Sequence, residues 1–264
     1  MCSFLVNMIE GTISSPYNLF STSLSSSILL IIITPTLVIL LQLMLARRSK
    51  NTISSKYGES SQANNNISQY PRQIQHVSTG LLFYILSFIL PIRLAFWLLS
   101  TTTAVFYILH KARSKSNLIQ QLYIQHFGRL LRDHERNIKC IPGAFWFLLG
   151  STITLYSYKI DIARTCLLCL SFGDPIASFS GIKIKGPKLQ LKYGTKSLVG
   201  CFCCFLTCAM VSIVSIDIKH DQNIWFITGF VATMMEVSSG ITGIDDNILI
   251  PIGTGLILSL YIDL

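Results

Sequence analysis

The chain has 264 residues, of which 51% are hydrophobic and only 12% are charged. Soluble domains carry about 25% charged residues, so this composition is too poor in charge to cover a surface that faces water. It excludes a soluble globular protein, and the abundance of apolar residues excludes collagen-like and disordered chains. We therefore expect a membrane protein with several spans, and its formal net charge of +9 raises the question of where the positive residues lie.

Eight apolar segments predict an all-α transmembrane bundle of about eight spans, since a span needs roughly 17–25 mostly apolar residues. The segments cover residues 27–46, 79–92, 94–109, 142–158, 162–180, 198–216, 223–239 and 247–262. The second and third are short and are split by Pro91 and Arg93, so they predict either a tight hairpin or one re-entrant element. We expect residues 1–70 to hold the first span and a flexible polar linker, and residues 71–264 to form one membrane domain.

Most of the basic residues lie in three loops, which are the one after the first span and residues 110–141 and 181–197. These loops hold 17 of the 21 Lys and Arg residues, and with eight spans all three face the same side of the membrane. Because loops rich in Lys and Arg are usually cytoplasmic, we expect these loops in the cytoplasm and both termini on the opposite side.

The eight cysteines include Cys166 and Cys169, whose spacing also occurs in redox and zinc sites, and a group at residues 201–208. Six of the eight fall within apolar spans, with no histidine nearby in the sequence to complete a metal site. We therefore expect the cysteines to pack as small hydrophobic side chains.

Two acidic residues lie late in predicted spans, where a charge is costly and is usually functional. Asp174 lies between Gly173 and Pro175, which predict a break in the fifth helix, and Glu236 lies late in the seventh span. In the predicted topology both carboxylates lie near the cytoplasmic interface. The alternative is that each carboxylate only reaches this interface or caps a neighbouring helix.

Five lysines are interleaved with glycines in residues 181–200, which lead into the sixth span. Lysine supplies positive charge for a phosphate group, and Ser197 is a suitable N-cap for a helix whose amino end attracts anions. Lys196 and Ser197 are therefore the predicted phosphate contacts. The alternative is a loop that only fixes the topology or binds anionic lipid.

Asp245, Asp246 and Asn247 precede the last span and form a set of hard oxygen ligands suited to Mg²⁺ held jointly with nucleotide phosphates. The alternative is that Asp246 or Asn247 only caps the helix. Because lysines and carboxylates from four helix ends meet at one predicted face, the sequence indicates phosphoryl transfer at a membrane surface, with a lipid head group as acceptor.

Five motifs, in order along residues 70–262, resemble those of the CTP-dependent lipid kinases, the group that contains dolichol kinase, phytol kinase and the fungal-type diacylglycerol kinase. The motifs are residues 70–80, residues 127–135 followed by 142–150, residues 173–181, residues 196–200 and residues 245–247. Gln73 stands where the family usually has Lys, and Lys183 stands where Arg is common. The short chain and the sequence from Arg132 to Glu135 are most similar to the diacylglycerol kinase branch.

The resemblance implies transfer of a phosphoryl group from CTP to the hydroxyl of diacylglycerol, giving phosphatidic acid for phospholipid biosynthesis, with Mg²⁺ or another divalent cation such as Ca²⁺. It also implies an integral protein of the endoplasmic reticulum or nuclear envelope membrane, with its site facing the cytoplasm and no nucleic acid among its partners. The alternatives are a dolichol, polyprenol or phytol kinase, a phosphatidate cytidylyltransferase, and a non-enzymatic membrane carrier.

The residues and the resemblance together give a predicted site. The expected metal ligands are Asp174, Asp245, Asp246 and Asn247. The expected nucleotide and phosphate contacts are His76, Gly173, Gly181, Lys183, Lys196, Ser197 and Gly200. The predicted catalytic residues are Asp174 and either Glu236 or Glu135, one of which orients or deprotonates the lipid hydroxyl. The choice between these two glutamates stays open at this point.

Overall fold

A computed structural model of the chain describes residues 38–40, 44, 69–216 and 223–262. From residue 69 onwards, these residues form nine α-helices, a two-stranded hairpin and one turn each of 3-10 and π-helix. The helices are α1 (Gln69–Ile89), α2 (Ile92–Lys115), α3 (Asn117–Phe127), α4 (Gly143–Ser157), α5 (Ile160–Leu168), α6 (Asp174–Lys183), α7 (Leu198–Ser215), α8 (Ile224–Thr242) and α9 (Asp246–Ile262). The strands are β1 (Lys188–Leu191) and β2 (Gly194–Ser197), the 3-10 turn is Asp133–Arg136, and the π-turn is Cys169–Gly173.

Four helical segments of the described chain are long and apolar enough to cross a membrane. They are α2, α7, α8 and the continuous run Ile160–Lys183, which contains α5, the π-turn and α6, while α9 is apolar but shorter. The predicted all-α membrane fold is confirmed, whereas the count of about eight spans is not. The predicted span 27–46 lies outside the described residues, apart from residues 38–40 and 44.

The segment predicted as two short spans or one re-entrant element forms two long helices instead. α1 starts ten residues before the predicted span 79–92, and α2 extends past residue 109 to Lys115, because both helices continue from apolar into polar sequence. Pro91 separates them, since it has no backbone N–H to donate and disfavours helical geometry in the residue before it.

The helix break predicted at Gly173 and Pro175 is absent from the structure, where the chain passes from α5 through the π-turn directly into α6. Pro175 follows the π-turn directly, and the altered hydrogen-bond pattern of a π-turn accommodates a residue that has no N–H to donate. Gly173 has ordinary helical dihedral angles, and a Cβ atom there would lie 2.7 Å from the Cys208 sulfur. Gly173 therefore allows close packing between the π-turn and α7.

The bundle core joins the π-turn to α4, α7 and α9 through buried residues such as Leu148, Leu170, Cys204 and Ile250. Cys166, Cys169, Cys204 and Cys208 are buried and carry free thiols. The Cys208 thiol lies 3.8 Å from the carbonyl oxygen of Cys169, which joins α7 to the π-turn. The prediction that these cysteines pack as small hydrophobic side chains is therefore confirmed for these four.

The lysine-rich segment predicted as a loop contains the antiparallel hairpin β1–β2, in which Lys188 pairs with Ser197 and Leu191 with Gly194. The Tyr193 N–H at the tip donates a 2.8 Å hydrogen bond to the carbonyl oxygen of Gly240 in α8. The hairpin is therefore attached to the carboxyl end of α8, and its second strand leads directly into α7. This attachment places Lys196 over the end of the bundle at which α8 ends and α7 and α9 begin.

Candidate active site

A cleft of about 840 Å³ opens at this end of the bundle. Its walls come from α6, the hairpin, the first turn of α7, the end of α8 and the start of α9, together with Arg72 and Arg132. The predicted site residues that line it are Asp174, Gly181, Lys196, Ser197, Gly200, Glu236, Asp245 and Asp246. The structure thus gathers into one cleft residues that belong to separate segments of the sequence.

Three carboxylates form a cluster within the cleft. Asp174 begins α6, Glu236 lies in the second half of α8, and Asp246 begins α9. One carboxylate oxygen of each lies within 4.8 Å of the others, and all three side chains are buried. Because like charges at this distance repel in a medium of low dielectric, the cluster requires neighbouring cations or a bound metal ion.

Two cations lie against this cluster, each from a different part of the chain. The Lys196 Nζ atom is 2.5 Å from Glu236 Oε1 and 3.6 Å from Asp246 Oδ2. The Arg132 guanidinium is 3.6 Å from Asp245 Oδ2 and 3.5 Å from Asp246 Oδ1. Asp246 therefore contacts both cations, and the ion pairs link the hairpin, α8, α9 and the segment before the 3-10 turn.

These contacts keep the two cations charged. Burial lowers the pKa of Lys196, but the carboxylates of Glu236 and Asp246 outweigh burial and raise the pKa above its ordinary value. Burial likewise lowers the pKa of Arg132, and the charges of Asp246 and Asp245 raise it by more. For Asp245, burial and then the neighbouring charge of Asp246 raise the pKa to about 6. The cleft therefore holds fixed positive charge beside acids that are buried.

The amino end of α7 opens into the cleft through Ser197 and Gly200. Ser197 is the N-cap residue of α7, and its hydroxyl accepts a long hydrogen bond of 3.5 Å from the Gly200 N–H. A Cβ atom on Gly200 would lie 2.6 Å from the carbonyl oxygen of Ala177, and one on Gly181 would lie 2.9 Å from Ser197 Cβ. Both glycines therefore allow the amino end of α7 to pack closely against α6, the helix that Asp174 begins.

The structure places Asp245 and Asp246, which are neighbours in the sequence, in different surroundings. Asp246 joins the carboxylate cluster, whereas Asp245 faces Arg132. Asp245 Oδ1 also accepts a 2.6 Å hydrogen bond from the Asn247 side-chain amide and a 3.1 Å bond from its backbone N–H. Asp245 thus stabilises the start of α9, whereas the capping alternative drawn from the sequence named Asp246 or Asn247.

A second, smaller cavity of about 50 Å³ adjoins the cleft and shares with it the walls formed by Arg72, Arg132 and Asp174. Three predicted site residues line this cavity rather than the cleft, namely His76, Glu135 and Asn247. His76 Nε2 lies 3.9 Å from Asp174 Oδ2, so this histidine contacts the acid cluster from the side of the smaller cavity.

Glu135 is buried, and both of its carboxylate oxygens accept hydrogen bonds from the backbone. Oε2 accepts a 3.0 Å bond from the Arg132 N–H, and Oε1 accepts a 3.1 Å bond from the Gly143 N–H. The fully buried Arg113 donates a 2.8 Å hydrogen bond to the Glu135 carbonyl oxygen. Glu135 therefore fixes the turn that presents Arg132 to the cleft.

Lys183 and Gly173 do not line the cleft. The Lys183 ammonium group lies 5.9 Å from the ring centres of both Tyr70 and Phe179, on the outer side of α6. Gly173 faces the sulfur atoms of α7, as described above. The structure lends no geometric support to either residue as a nucleotide contact, and we leave both out of the site.

Sequence reasoning missed Arg132 and Arg72 as residues of the cleft. Both lie within motifs of the family resemblance, at residues 70–80 and 127–135, but each was one basic residue among many. The signal that could have found Arg132 is its position next to Asp133 and Glu135, in one of the few acidic stretches outside the spans. Its contact with α9 crosses more than a hundred residues of sequence, so no local pattern reveals it.

No family profile and no solved structure matches the chain. The chain is similar to CTP-dependent diacylglycerol kinase 1 of Schizosaccharomyces pombe, with 28% identity over an alignment that covers 53% of this chain and 68% of the relative. The similarity confirms the resemblance that the five motifs indicated, which is to the CTP-dependent lipid kinases and most closely to their diacylglycerol kinase branch.

Proposed function

We propose that the cleft binds CTP and transfers its terminal phosphoryl group to the hydroxyl of a membrane lipid alcohol, with diacylglycerol as the first candidate. The observation that carries this proposal is the buried cluster of Asp174, Glu236 and Asp246, with Lys196 and Arg132 beside it. Phosphoryl transfer depends mainly on positioning and on charge stabilisation. It therefore requires carboxylates that can hold a metal ion and cationic side chains, all fixed in one site. The proposed donor and acceptor are those of the fungal relative, a CTP-dependent diacylglycerol kinase.

The three carboxylates fit a divalent cation such as Mg²⁺. Mg²⁺ prefers hard oxygen ligands and is usually held by one or two carboxylates together with substrate phosphates. Glu236 Oε2 is buried and makes no hydrogen bond with any residue that the structure describes, and Asp246 Oδ1 makes none either, although the Arg132 guanidinium lies 3.5 Å from it. Glu236 and Asp246 would therefore hold the ion, which neutralises charge on the nucleotide phosphates when bound.

The cations and the α7 amino end form the proposed phosphate site. Lys196 and Arg132 are already positioned by their carboxylate partners, so little ordering is needed when a nucleotide binds. The first turn of α7 adds backbone N–H groups and the positive end of its helix dipole. The volume of the cleft, about 840 Å³, lies within the range of ligand sites that hold cofactor-sized molecules.

Asp174 is the proposed acceptor of the hydroxyl proton, because it is the carboxylate of the cluster that walls both cavities. As the lipid oxygen forms its bond to the terminal phosphorus atom, the bond from that phosphorus to the bridging oxygen breaks and CDP leaves. The hydroxyl proton passes to the Asp174 carboxylate. Glu135 is unsuited to this role, since both of its oxygens already accept backbone hydrogen bonds.

A membrane lipid is the acceptor that this placement favours. The cleft lies at one end of a bundle whose helices α7 and α8 are long and apolar enough to span a bilayer, so the hydrocarbon tails remain in the membrane while the hydroxyl reaches the carboxylates. The proposed membrane is the endoplasmic reticulum or nuclear envelope, with the cleft facing the cytoplasm. This orientation is supported by the three basic loops, which hold 17 of the 21 Lys and Arg residues, because such loops are usually cytoplasmic.

The test uses purified full-length protein in detergent micelles with Mg²⁺ and labelled CTP or ATP. Diacylglycerol, dolichol, phytol and phosphatidic acid are offered in parallel, and the lipid products are separated by chromatography. We expect labelled phosphatidic acid from CTP and diacylglycerol, and a loss of about 100-fold or more in Asp174→Asn. Asp161→Asn is the matched control, because Asp161 is an exposed acid at the start of α5, at the opposite end of the bundle.

Each other outcome identifies a rival function. A labelled dolichyl or phytyl phosphate would mean the same chemistry with a different acceptor. CDP-lipid formed from phosphatidic acid would identify a cytidylyltransferase. The absence of any lipid product, or full turnover by Asp174→Asn, would refute the proposed function.

Membrane orientation has a separate test in sealed microsomes. Lys188 is exposed in β1 near the cleft, so Lys188→Cys should react with a membrane-impermeant thiol reagent added from the cytoplasmic side. The unsubstituted protein, which has its own cysteines, provides the background. Labelling only after the microsomes are opened would place the cleft on the lumenal side.

A further inference from the structure

The smaller cavity differs from the cleft in its walls. It lies between α1, the end of α3 with the segment after it, and the start of α4. At about 50 Å³ it has room for a few water-sized groups, and a nucleoside triphosphate cannot enter it. It opens towards the reacting centre at Asp174, which it shares with the cleft.

The end of this cavity near Asp174 is lined by polar atoms that lack partners. His76 Nε2, Thr79 Oγ1 and Asn247 Oδ1 are buried and form no hydrogen bond within the described part of the chain. Thr79 and Asn247 are 4% and 3% exposed, so bulk water does not satisfy them. Buried polar groups in native proteins are nearly always paired, so three such atoms around one cavity require hydroxyl groups there, from ordered water or from a ligand that replaces it.

The opposite end of the cavity is apolar. Its walls there are the side chains of Tyr123, Phe127, Leu130, Leu131, Phe147 and Leu148. On the outer face of α3, Leu118 is 66% exposed and Leu122 is 46% exposed, which is the pattern of a helix that contacts lipid. The cavity therefore has a polar end at the reacting centre and an apolar end below a helix with an apolar outer face.

We infer that this cavity is the acceptor subsite, which holds the hydroxyl-bearing end of the glyceride while the nucleotide occupies the cleft. This inference rests on the proposed function and extends it. His76, Thr79 and Asn247 fix the acceptor hydroxyl against the Asp174 carboxylate, and the acyl chains leave past α3 towards the bilayer. Asp174 is then the point at which the two substrates meet, one from each cavity.

The division between the cavities also explains the position of His76. In the family resemblance His76 was expected to contact the nucleotide, but it lines only the smaller cavity. At 3.9 Å from Asp174 Oδ2, its ring nitrogen is close enough to share a hydroxyl group with that carboxylate. His76 is thus assigned to the acceptor and Lys196 to the donor.

The experiment compares the KM for a short-chain diacylglycerol with the KM for CTP in mixed micelles. Thr79→Val removes one hydroxyl with little change of volume, and Leu131→Trp fills the cavity from its apolar side. We expect each to raise the KM for the lipid about tenfold or more and to leave the KM for CTP within about twofold. Thr101→Val is the matched control, because the Thr101 hydroxyl bonds to the backbone of its own helix α2.

A second measurement is independent of turnover. A diacylglycerol with a photoreactive diazirine close to the glycerol should crosslink to residues 123–131 or 142–148, and Leu131→Trp should abolish this crosslink. Retained binding of labelled CTP shows that each variant is folded.

The outcomes separate the inference from the proposed function. If the unsubstituted protein phosphorylates diacylglycerol while both variants keep its lipid KM and its crosslink, the acceptor subsite is wrong and the kinase activity stands. A rise in the KM for CTP instead of the KM for the lipid would assign the cavity to the nucleotide and overturn the inference. If the unsubstituted protein phosphorylates no lipid, both proposals fail.

Discussion

The two ends of the bundle use arginine in opposite ways. At the end away from the cleft, Arg164 of α5 donates hydrogen bonds of 2.9 and 2.7 Å to the hydroxyl and carbonyl oxygens of Ser87 in α1. Its guanidinium also lies 3.8 Å from the centre of the Phe88 ring. At the cleft, Arg132 faces the carboxylates of Asp245 and Asp246 at 3.6 and 3.5 Å.

This difference separates a charge that joins helices from a charge that is available to a ligand. The donors of Arg164 are satisfied by the fold, so they have little left to offer. The Arg132 guanidinium instead faces carboxylates at 3.5 Å or more, and phosphate oxygens form shorter, bidentate contacts with a guanidinium. Variants at the two ends should therefore affect different properties of the protein.

The largest expected effect is on turnover, from Asp246→Asn. Asp246 is a proposed metal ligand and contacts both Lys196 and Arg132, so its charge supports both parts of the phosphate site. We expect kcat to fall about 100-fold or more. Measuring activity at increasing Mg²⁺ concentrations tests the metal role, because the variant should need more Mg²⁺ for half-maximal activity. Unchanged Mg²⁺ dependence would remove Asp246 from the metal site.

The next largest effect is on stability, from Lys196→Gln. The substitution leaves the buried Glu236 carboxylate without its nearest counter-charge, and breaking such a pair costs about 3 kcal/mol. The double variant with Glu236→Gln should recover most of this loss in a thermal unfolding assay, because residue 236 is then neutral and Asp246 keeps Arg132 as its counter-charge. Activity should not return in the double variant. Recovery of activity would mean that the pair is only structural.

Matched Arg→Lys substitutions at the two ends compare the two arginines directly. Lysine keeps the charge but loses the planar fork of donors. Arg132→Lys should raise the KM for CTP about tenfold with a small change in Tm, since one bidentate phosphate contact is lost. Arg164→Lys should lower Tm and leave both KM values unchanged. Equal effects on KM from the two variants would contradict the comparison of the two ends.

The smallest effect is expected from Glu135→Gln, which keeps one side-chain acceptor for the two backbone N–H groups that the carboxylate now binds. We expect kcat to fall less than about tenfold, through a small displacement of Arg132, because the proposed mechanism gives Glu135 no proton to accept. A fall of 100-fold or more, with unchanged Tm, would instead identify Glu135 as the base. Initial-rate kinetics and a thermal melt distinguish the two results.

The sequence predicted most helices, because long apolar segments have few alternatives to a helix in a membrane. It placed α4, α7, α8 and α9 within a few residues of their observed ends. It did not predict α3 or the hairpin. Residues 117–127 and 188–197 are too short and too polar to form a span, and their structure depends on contacts such as that of Tyr193 with Gly240.

For the site, the sequence predicted the members whose chemistry is unusual in their surroundings. Asp174 and Glu236 are acids within apolar helices, and such residues stand out. Lys196 and Lys183 looked alike because both belong to the same basic segment, yet Lys196 lies 2.5 Å from Glu236 and Lys183 lies near the rings of Tyr70 and Phe179. The two lysines differ because Lys196 lies in strand β2 of the hairpin, which places it over the cleft, whereas Lys183 ends α6. The hairpin is a feature of the fold that the sequence did not predict.

The π-turn at Cys169–Gly173 has a consequence for the direction of the Asp174 side chain. A π-turn fits one extra residue into a helix, and each residue of an α-helix advances the direction of its side chain by about 100° around the axis. Without the extra residue, every side chain of α6 would be rotated by about that angle, and Asp174 would point away from Glu236 and Asp246. The meeting of the three carboxylates therefore depends on the number of residues between α5 and α6, as well as on the identity of those residues.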